Sequence, residues 1–208
     1  MPLLFSNPQE VRGQTPWDLA TGDAQATVYR AGMPSNPVEF EVTEASPGIF
    51  EVGVFRPGRP CPVDVANGVP PGSYLEVYGT GLGPGETPLA DGEAPAQVNL
   101  TAETPRALLD GVELPVFFSG MLPGMAGIYQ TNTHIAGETA AAIAELSLLQ
   151  HGIAGNGHRL RIIGVQDRPG FLVSFGEPGP VVVQPGGPPQ TVSVLLNGVN
   201  GFCDLIRF

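Results

Sequence analysis

The stretch Gln25-Ala-Thr-Val-Tyr-Arg-Ala-Gly-Met-Pro-Ser-Asn36 has a counterpart in Glu145-Leu-Ser-Leu-Leu-Gln-His-Gly-Ile-Ala-Gly-Asn156. With an offset of 120 residues, Gly32 falls on Gly152 and Asn36 on Asn156. Gly and Asn tolerate the positive φ angles of hairpin turns, so their recurrence at one spacing has a steric reason. Self-similarity at a fixed offset predicts that one supersecondary unit occurs twice in the chain.

The similarity extends to both sides of this stretch. The same offset places residues 11–16 over 131–136, and residues 38–42 over 158–162. Further upstream, Pro2-Leu-Leu-Phe-Ser6 resembles Pro115-Val-Phe-Phe-Ser119 at an offset of 113, and the extra residues of the second copy fall around 120–127. Because apolar and polar residues alternate in these segments, each copy is predicted to be a β-meander with a hairpin turn at Gly-x-x-x-Asn.

One segment favours a different structure when it is taken alone. Residues 138–150, Glu-Thr-Ala-Ala-Ala-Ile-Ala-Glu-Leu-Ser-Leu-Leu-Gln, have high helix propensity. Their counterpart, residues 23–30, contains Thr27-Val28-Tyr29, which favours a strand. The repeat therefore predicts a short turn near 137–141 and a strand from about 143 to 149.

Composition agrees with many short strands. The chain has 29 Gly and 23 Pro among 208 residues, interleaved with short apolar runs such as 74–78 and 181–183. Gly and Pro are disfavoured inside helices and collect at turns and sheet edges. Hydrophobic residues make up 42% of the chain, which is enough to bury a core.

Charge excludes several classes of function. The formal net charge is −11, all nine basic residues are Arg, and there is no Lys. Nucleic acids and anionic membranes both require a basic surface, so neither is an expected partner. Without Lys, Schiff-base chemistry and a P-loop are excluded. No apolar run reaches the length of a transmembrane helix, and no signal peptide is recognisable in this chain.

Three segments resemble a known family. Gly72-Ser-Tyr-Leu-Glu-Val-Tyr-Gly-Thr-Gly-Leu-Gly83 resembles the opening strand of IPT/TIG-type immunoglobulin modules. Ala45-Ser-Pro-Gly-Ile-Phe50 and Gly127-Ile-Tyr-Gln-Thr-Asn-Thr-His-Ile135 are similar to motifs of the uncharacterised Solibacter-type C-terminal domain of exported bacterial proteins. The resemblance covers about 1–163. It implies an immunoglobulin-like fold and an extracellular or cell-surface location, and it carries over no active site.

The sequence departs from the family pattern at three places. Glu10 and Arg12 stand in the first copy where the family has Gln and Asn, and Ala136 replaces a Pro in the second copy. The first copy also has no counterpart of residues 72–111, which carry the opening strands.

The predicted fold is therefore all-β, with tandem immunoglobulin-like β-sandwich modules that are incomplete at both ends. Residues 1–52 are predicted to be the C-terminal half of one module and residues 53–165 a complete module. Residues 166–208 are predicted to be the N-terminal half of a further module, with strands at 171–175, 181–183, 191–196 and from 203. A half sandwich leaves an apolar face bare and two edges open. The two halves meet within one chain, meet between successive chains, or belong to a longer protein.

No residue is predicted to be catalytic, to bind a cofactor or to bind a metal. Residues 79–85, Gly-Thr-Gly-Leu-Gly-Pro-Gly, lack the dinucleotide fingerprint because Pro84 stands where that fingerprint needs Gly and a loop follows. His134 lies in a predicted strand. His151 and His158 flank the turn at 152–157, but no third ligand for a metal site between them is evident. Cys61 and Cys203 are either two separate thiols or one disulfide, and the sequence leaves both open.

The predicted function is non-enzymatic: an extracellular structural, adhesive or self-assembling surface protein. Self-association is expected to be head to tail through the incomplete terminal modules, and it makes filaments if the contact does not close. The alternative is a carbohydrate- or protein-binding module of a larger secreted protein. Aromatic residues recur at strand positions, where core packing is the default and exposed ones would form a glycan-stacking platform. These are Trp17, Tyr29, Phe50, Tyr74, Tyr78, Phe117, Phe118 and Tyr129.

Overall fold

The computed structural model describes residues 1–54, 61–140 and 142–163. These residues form β-strands and turns with no helix, so the predicted all-β class is confirmed. The strands predicted between 171 and 208 lie outside the described residues. Cys203 lies outside them too, and so do the two alternatives for Cys61 and Cys203, separate thiols or one disulfide.

Residues 1–42 form three small two-stranded antiparallel sheets. The pairs are β1 (Leu3–Ser6) with β2 (Val11–Gly13), β3 (Gly22–Ala26) with β6 (Val38–Val42), and β4 (Tyr29–Arg30) with β5 (Met33–Pro34). The last pair lies at the tip of the hairpin that the second pair forms. Many large apolar side chains of this region are exposed to solvent.

The described residues between 48 and 163 form two antiparallel sheets with a shared core. The first sheet has the spatial order β10–β13–β14–β9–β7–β8. Its strands are β7 (Gly48–Val54), β8 (Cys61–Pro62), β9 (Tyr74–Thr80), β10 (Asn99–Leu100), β13 (Val116–Met121) and β14 (Tyr129–His134). The second sheet has the order β12–β11–β15, and both β16 and β17 pair with β15. Its strands are β11 (Arg106–Leu109), β12 (Val112–Leu114), β15 (Ala142–Gln150), β16 (Ile153–Ala154) and β17 (His158–Ile162).

The core lies between these two sheets. Leu75 and Val77 of β9 are fully buried, and so are Leu146 and Leu148 of β15 and Leu160 of β17. All of them belong to one buried cluster. Burial of a side chain of this size stabilises the fold by about 1.5–3 kcal/mol, so this cluster holds the sandwich together.

The segment with high helix propensity is a strand, as the repeat predicted. A turn lies at 137–138, and β15 follows it. Ala144, Leu146 and Leu148 are buried, whereas the alternate residues Ile143 and Glu145 are exposed and Ser147 is half-buried. A spacing of two residues buries one face of a strand and does not match a helix, so burial outweighs local propensity here.

The segment just before β7 is hydrogen-bonded to the glycine-rich segment after β9. The amide of Ser46 donates to the carbonyl oxygen of Gly81 at 2.9 Å. Gly81 has a φ of +74°, and a β-carbon there would overlap the Ser46 carbonyl oxygen. Only glycine fits both conditions. β7 itself pairs with β9 over its whole length, so the predicted boundary between residues 52 and 53 falls inside this strand.

Candidate functional site

The two copies of the repeat have the same pairing register. In the first copy (residues 1–42), Ala24 pairs with Phe40. In the second copy (residues 115–163), Ala144 pairs with Leu160, 120 positions later. All residue pairs between β3 and β6 recur at this offset between β15 and β17. The repeat that the sequence shows is therefore also a repeat of structure.

The turns and the first hairpin agree as well. Ala31 and His151 both have a φ of 50°, and the following Gly32 and Gly152 have φ values of 81° and 78°. The pair Leu3–Gly13 between β1 and β2 corresponds to the pair Val116–Thr133 between β13 and β14. Both hairpins have a β-bulge at the same place, after Leu3 and after Val116.

The copies differ in their neighbouring strands. In the second copy, β14 also pairs with β9 and β15 also pairs with β11. In the part of the chain that the structure describes, β2 pairs only with β1 and β3 only with β6. The first copy thus contains counterparts of β13 to β17 and none of β7 to β12.

As a result, the first copy exposes side chains whose counterparts are in the core. Phe40 is 41% exposed, whereas its counterpart Leu160 is 0% exposed. Val28 is 49% exposed, whereas its counterpart Leu148 is 1% exposed. We call this surface the bare face. It consists of Val11, Ala24, Ala26, Val28, Phe40 and Val42, the counterparts of buried residues of the second copy.

The opposite face of the same hairpin is polar. Asp23 and Gln25 of β3 alternate with the bare-face alanines, and they pair with Glu41 and Glu39 of β6. All four side chains are exposed. The two faces therefore have the alternation that a sandwich strand has when one face is buried and the other is in water.

The first copy is attached to one end of the central sandwich. Gln14 Oε1 accepts a hydrogen bond from the amide of Gly92 at 2.7 Å, and the Trp17 amide donates to Asp91 Oδ1 at 2.9 Å. Pro2 lies against Gly92. Gln14 also lies beside Gly127, whose carbonyl oxygen accepts from Thr80 Oγ1 at the end of β9.

The described chain ends at the other end of the sandwich. The Ile163 amide donates to the carbonyl oxygen of Val69 at 2.9 Å, and Gly72 close by donates to Ile135. Val69 and Gly72 precede the start of β9, so this end of the sandwich is the Tyr74 end of that strand. Since β9 runs from Tyr74 to Thr80 and a strand rises about 3.3 Å per residue, the two ends of the sandwich are about 20 Å apart.

A cluster of aromatic rings lies on the outer face of the first sheet near this second end. The Tyr74 ring centroid is 4.5 Å from that of His134 and 5.9 Å from that of Phe117. The β-bulge in β13 turns Phe117 outward. Tyr74 and Phe117 are both exposed to solvent. We call these three residues the aromatic cluster.

Polar side chains continue this outer face along β9 and β14. Gln130 Nε2 donates to Asn132 Oδ1 at 2.8 Å and to Glu76 Oε1 at 3.3 Å. Tyr78 donates to Glu76, and burial together with this bond raises the pKa of Tyr78 to about 12. In the first copy, the counterparts of Gln130 and Asn132 are Glu10 and Arg12, whose side chains form an ion pair at 2.6 Å.

The remaining histidines have separate partners. His158 Nε2 lies 2.7 Å from the carbonyl oxygen of Val63, and His151 Nδ1 lies 3.2 Å from Glu103 Oε2. Among the residues that the structure describes, no three His, Cys, Asp or Glu side chains are grouped as a metal site requires. Nor does any described residue belong to a helix able to cross a bilayer.

Comparison of the chain with protein-family models, with curated protein sequences and with solved structures finds no match. The geometry of the two copies is therefore the basis for a functional conclusion. Sequence reasoning found the two copies. It missed the contact of Gln14 and Trp17 with Asp91 and Gly92, because nothing in the sequence links positions so far apart.

Proposed function

We propose that this protein is an exported, non-enzymatic structural protein that assembles head to tail from immunoglobulin-like modules. The bare face of one chain is covered by residues 164–208 of the next chain. The observation that carries this proposal is that Phe40 and Val28 are exposed while their counterparts Leu160 and Leu148 are in the core. The location outside the cell rests on the resemblance of 72–83 and 127–135 to modules of exported bacterial proteins.

The strand order supports an immunoglobulin-like module. Strands β7, β9, β14 and β13 are neighbours in one sheet, and β12, β11, β15 and β17 are neighbours in the other. Lettered by their order along the chain, the first four would be strands A, B, E and D of one immunoglobulin sheet. The second four would be strands C′, C, F and G of the other sheet. By this assignment the first copy supplies D to G and lacks A to C′.

The sequence of 164–208 fits the part that the first copy lacks. Pro169-Gly170-Phe171-Leu172 resembles Pro47-Gly48-Ile49-Phe50, where β7 begins. The predicted strand at 191–196 would take the place of β9, and the predicted strand from 203 would take the place of β11. The missing strands A, B and C thus have candidates at the other end of the same sequence.

Completion between chains is favoured over completion within one chain by the positions of the two ends. The first copy is attached at the Thr80 end of β9, whereas Ile163 lies at the Tyr74 end. The short segment 43–47 connects β6 of the first copy to β7. If residues 163–169 connect β17 to the next module in the same way, that module lies away from the first copy of its own chain, and a head-to-tail contact that does not close makes a filament.

Sedimentation velocity of the full chain over a range of concentrations, with electron microscopy of the assembled fraction, tests this proposal. Wild type is expected to form a concentration-dependent ladder of species. Val28→Asp places a charge on the bare face and is expected to abolish the ladder. Val98→Asp is the matched control, because Val98 is 50% exposed, like Val28, but lies on the central sandwich. A wild-type chain that stays monomeric at every concentration contradicts the proposal.

A further inference from the structure

We infer that the aromatic cluster is the contact surface for the next module along the same chain, the module that residues 164–208 begin. This inference rests on the proposed array of modules. The surface is predicted to be covered by the turn that follows the predicted strand at 191–196.

The first copy already makes a contact of this kind with the module that follows it. Pro2, Gln14 and Trp17 touch the turn formed by Asp91 and Gly92 of the module that follows them. At the offsets of the repeat, 113 for Pro2 and 120 for the other two, their counterparts are Pro115, His134 and Gly137. His134 belongs to the aromatic cluster, and Pro115 precedes β13, which carries Phe117. The positions that dock the first copy on its neighbour therefore recur at the aromatic cluster.

The path of the chain leads to the same place. β17 ends at Ile162, and the Ile163 amide is bonded to Val69. Val69 and Gly72 lie at the end of the sandwich where Tyr74 and His134 pair. Residues 164–208 therefore start at the end that carries the aromatic cluster.

The chemistry of both surfaces is compatible. Tyr74 and Phe117 offer exposed apolar rings. Residues 178–203 contain no charged side chain, so their docking desolvates no charge. After the predicted strand at 191–196, the sequence has two Asn-Gly dipeptides, at 197–198 and 200–201. They are similar to Asp91-Gly92, the turn that Gln14 and Trp17 contact, in which Gly92 has a φ of +78°. Asn-Gly favours the same turn conformations.

Hydroxyl-radical footprinting of the full-length protein tests whether the cluster is covered. Phe117 and Phe50 are the same residue type, and their exposed fractions in the described part of the chain are 62% and 59%. If residues 164–208 cover the cluster, Phe117 is oxidised several-fold more slowly than Phe50. Val194→Pro, which removes a donor from the predicted strand at 191–196, is expected to make the two rates equal. Val194→Thr, which keeps a β-branched side chain, is the matched control and is expected to keep the difference.

Two results would overturn this inference. Equal oxidation of Phe117 and Phe50 in the wild-type chain would show that the cluster is open to solvent. Retention of that open chain on an immobilised neutral polysaccharide, with loss of retention in Phe117→Ala, would then assign the surface to a glycan. Protection that persists in Val194→Pro would show that a different segment or a second chain covers it. Sedimentation of the same samples separates this inference from the proposed assembly. If Phe117 is protected in a chain that is monomeric, the contact within the chain is supported and only the assembly is contradicted.

Discussion

Phe40 and Leu160 occupy the same position in two copies of one repeat, yet one is at the surface and the other is in the core. Their strands pair in the same register, and their turns have the same backbone angles. Pairing and turn geometry are thus set within the repeat by alternation and by the residues of the turn. Burial is set by β9 and β11, which only the second copy has beside it. The local sequence thus specifies strand pairing and turns, and a neighbouring strand is needed for burial.

Truncation at the matched positions 40 and 160 should give the largest difference in stability between the two copies. Leu160→Ala leaves a cavity in a closed core and is expected to lower the free energy of unfolding by about 3 kcal/mol. Phe40→Ala removes an exposed ring and is expected to leave the unfolding of the dissociated chain nearly unchanged. Urea unfolding at a concentration below assembly measures both. An equal loss in the two variants would mean that the bare face is covered within the single chain.

The matched asparagines give the next largest effect. Asn156 Oδ1 accepts from the Ile49 amide at 2.7 Å, and its Nδ2 donates to the Ile49 carbonyl oxygen at 3.1 Å. Asn156→Ala breaks both bonds to β7 and is expected to cost about 2 kcal/mol. Asn36 is exposed, and its side chain makes no hydrogen bond within the described residues.

Asn36→Ala is therefore expected to leave unfolding of the dissociated chain unchanged and to weaken assembly. In the proposed array, Asn36 bonds the backbone at Phe171 of another chain, because Phe171 follows Pro-Gly as Ile49 does. Sedimentation equilibrium measures the association constant. Assembly of Asn36→Ala with wild-type affinity would remove this contact from the proposal.

The turn glycines Gly32 and Gly152 have the same backbone conformation in both copies. Gly32 and Gly152 both have a left-handed φ near 80°, and a β-carbon at either would meet no atom within 4 Å. The cost of alanine is thus backbone strain alone, about 1 kcal/mol at each site. Gly152→Ala is expected to lower the thermal midpoint of the sandwich. Gly32→Ala should leave that midpoint unchanged and weaken assembly instead. A matching loss of midpoint in Gly32→Ala would place the first copy in the same cooperative unit as the sandwich.

Sequence reasoning recovered what the repeat itself encodes. Offsets of 113 and 120 located both hairpins, and the counterpart Thr27-Val28-Tyr29 predicted a strand at β15 against its own helix propensity. Positions determined by distant neighbours were not predictable. β7 belongs to the central sandwich because Gly79 and Gly81 let its backbone approach β9 closely, and this approach leaves no periodic signal. The bulge that turns Phe117 outward is one extra residue in β13, and it is recognisable only once the partner strand is known.

The smallest effect is expected at a pair of positions where the copies differ in chemistry rather than in burial. Glu10 and Arg12 form an exposed ion pair where Gln130 and Asn132 form an amide pair. The hydrogen bond from Arg12 holds the pKa of Glu10 below its ordinary value. The contribution of this ion pair to the free energy of unfolding is therefore present above the unfolded-state pKa of Glu10. It is lost as the pH falls through the folded-state pKa. Because water and salt screen exposed pairs, Glu10→Gln should leave unfolding at neutral pH unchanged. Arg12→Gln should raise the NMR titration midpoint of the Glu10 carboxyl group. An unchanged midpoint would mean that the pair does not form in solution, and that the copies differ only in their neighbouring strands.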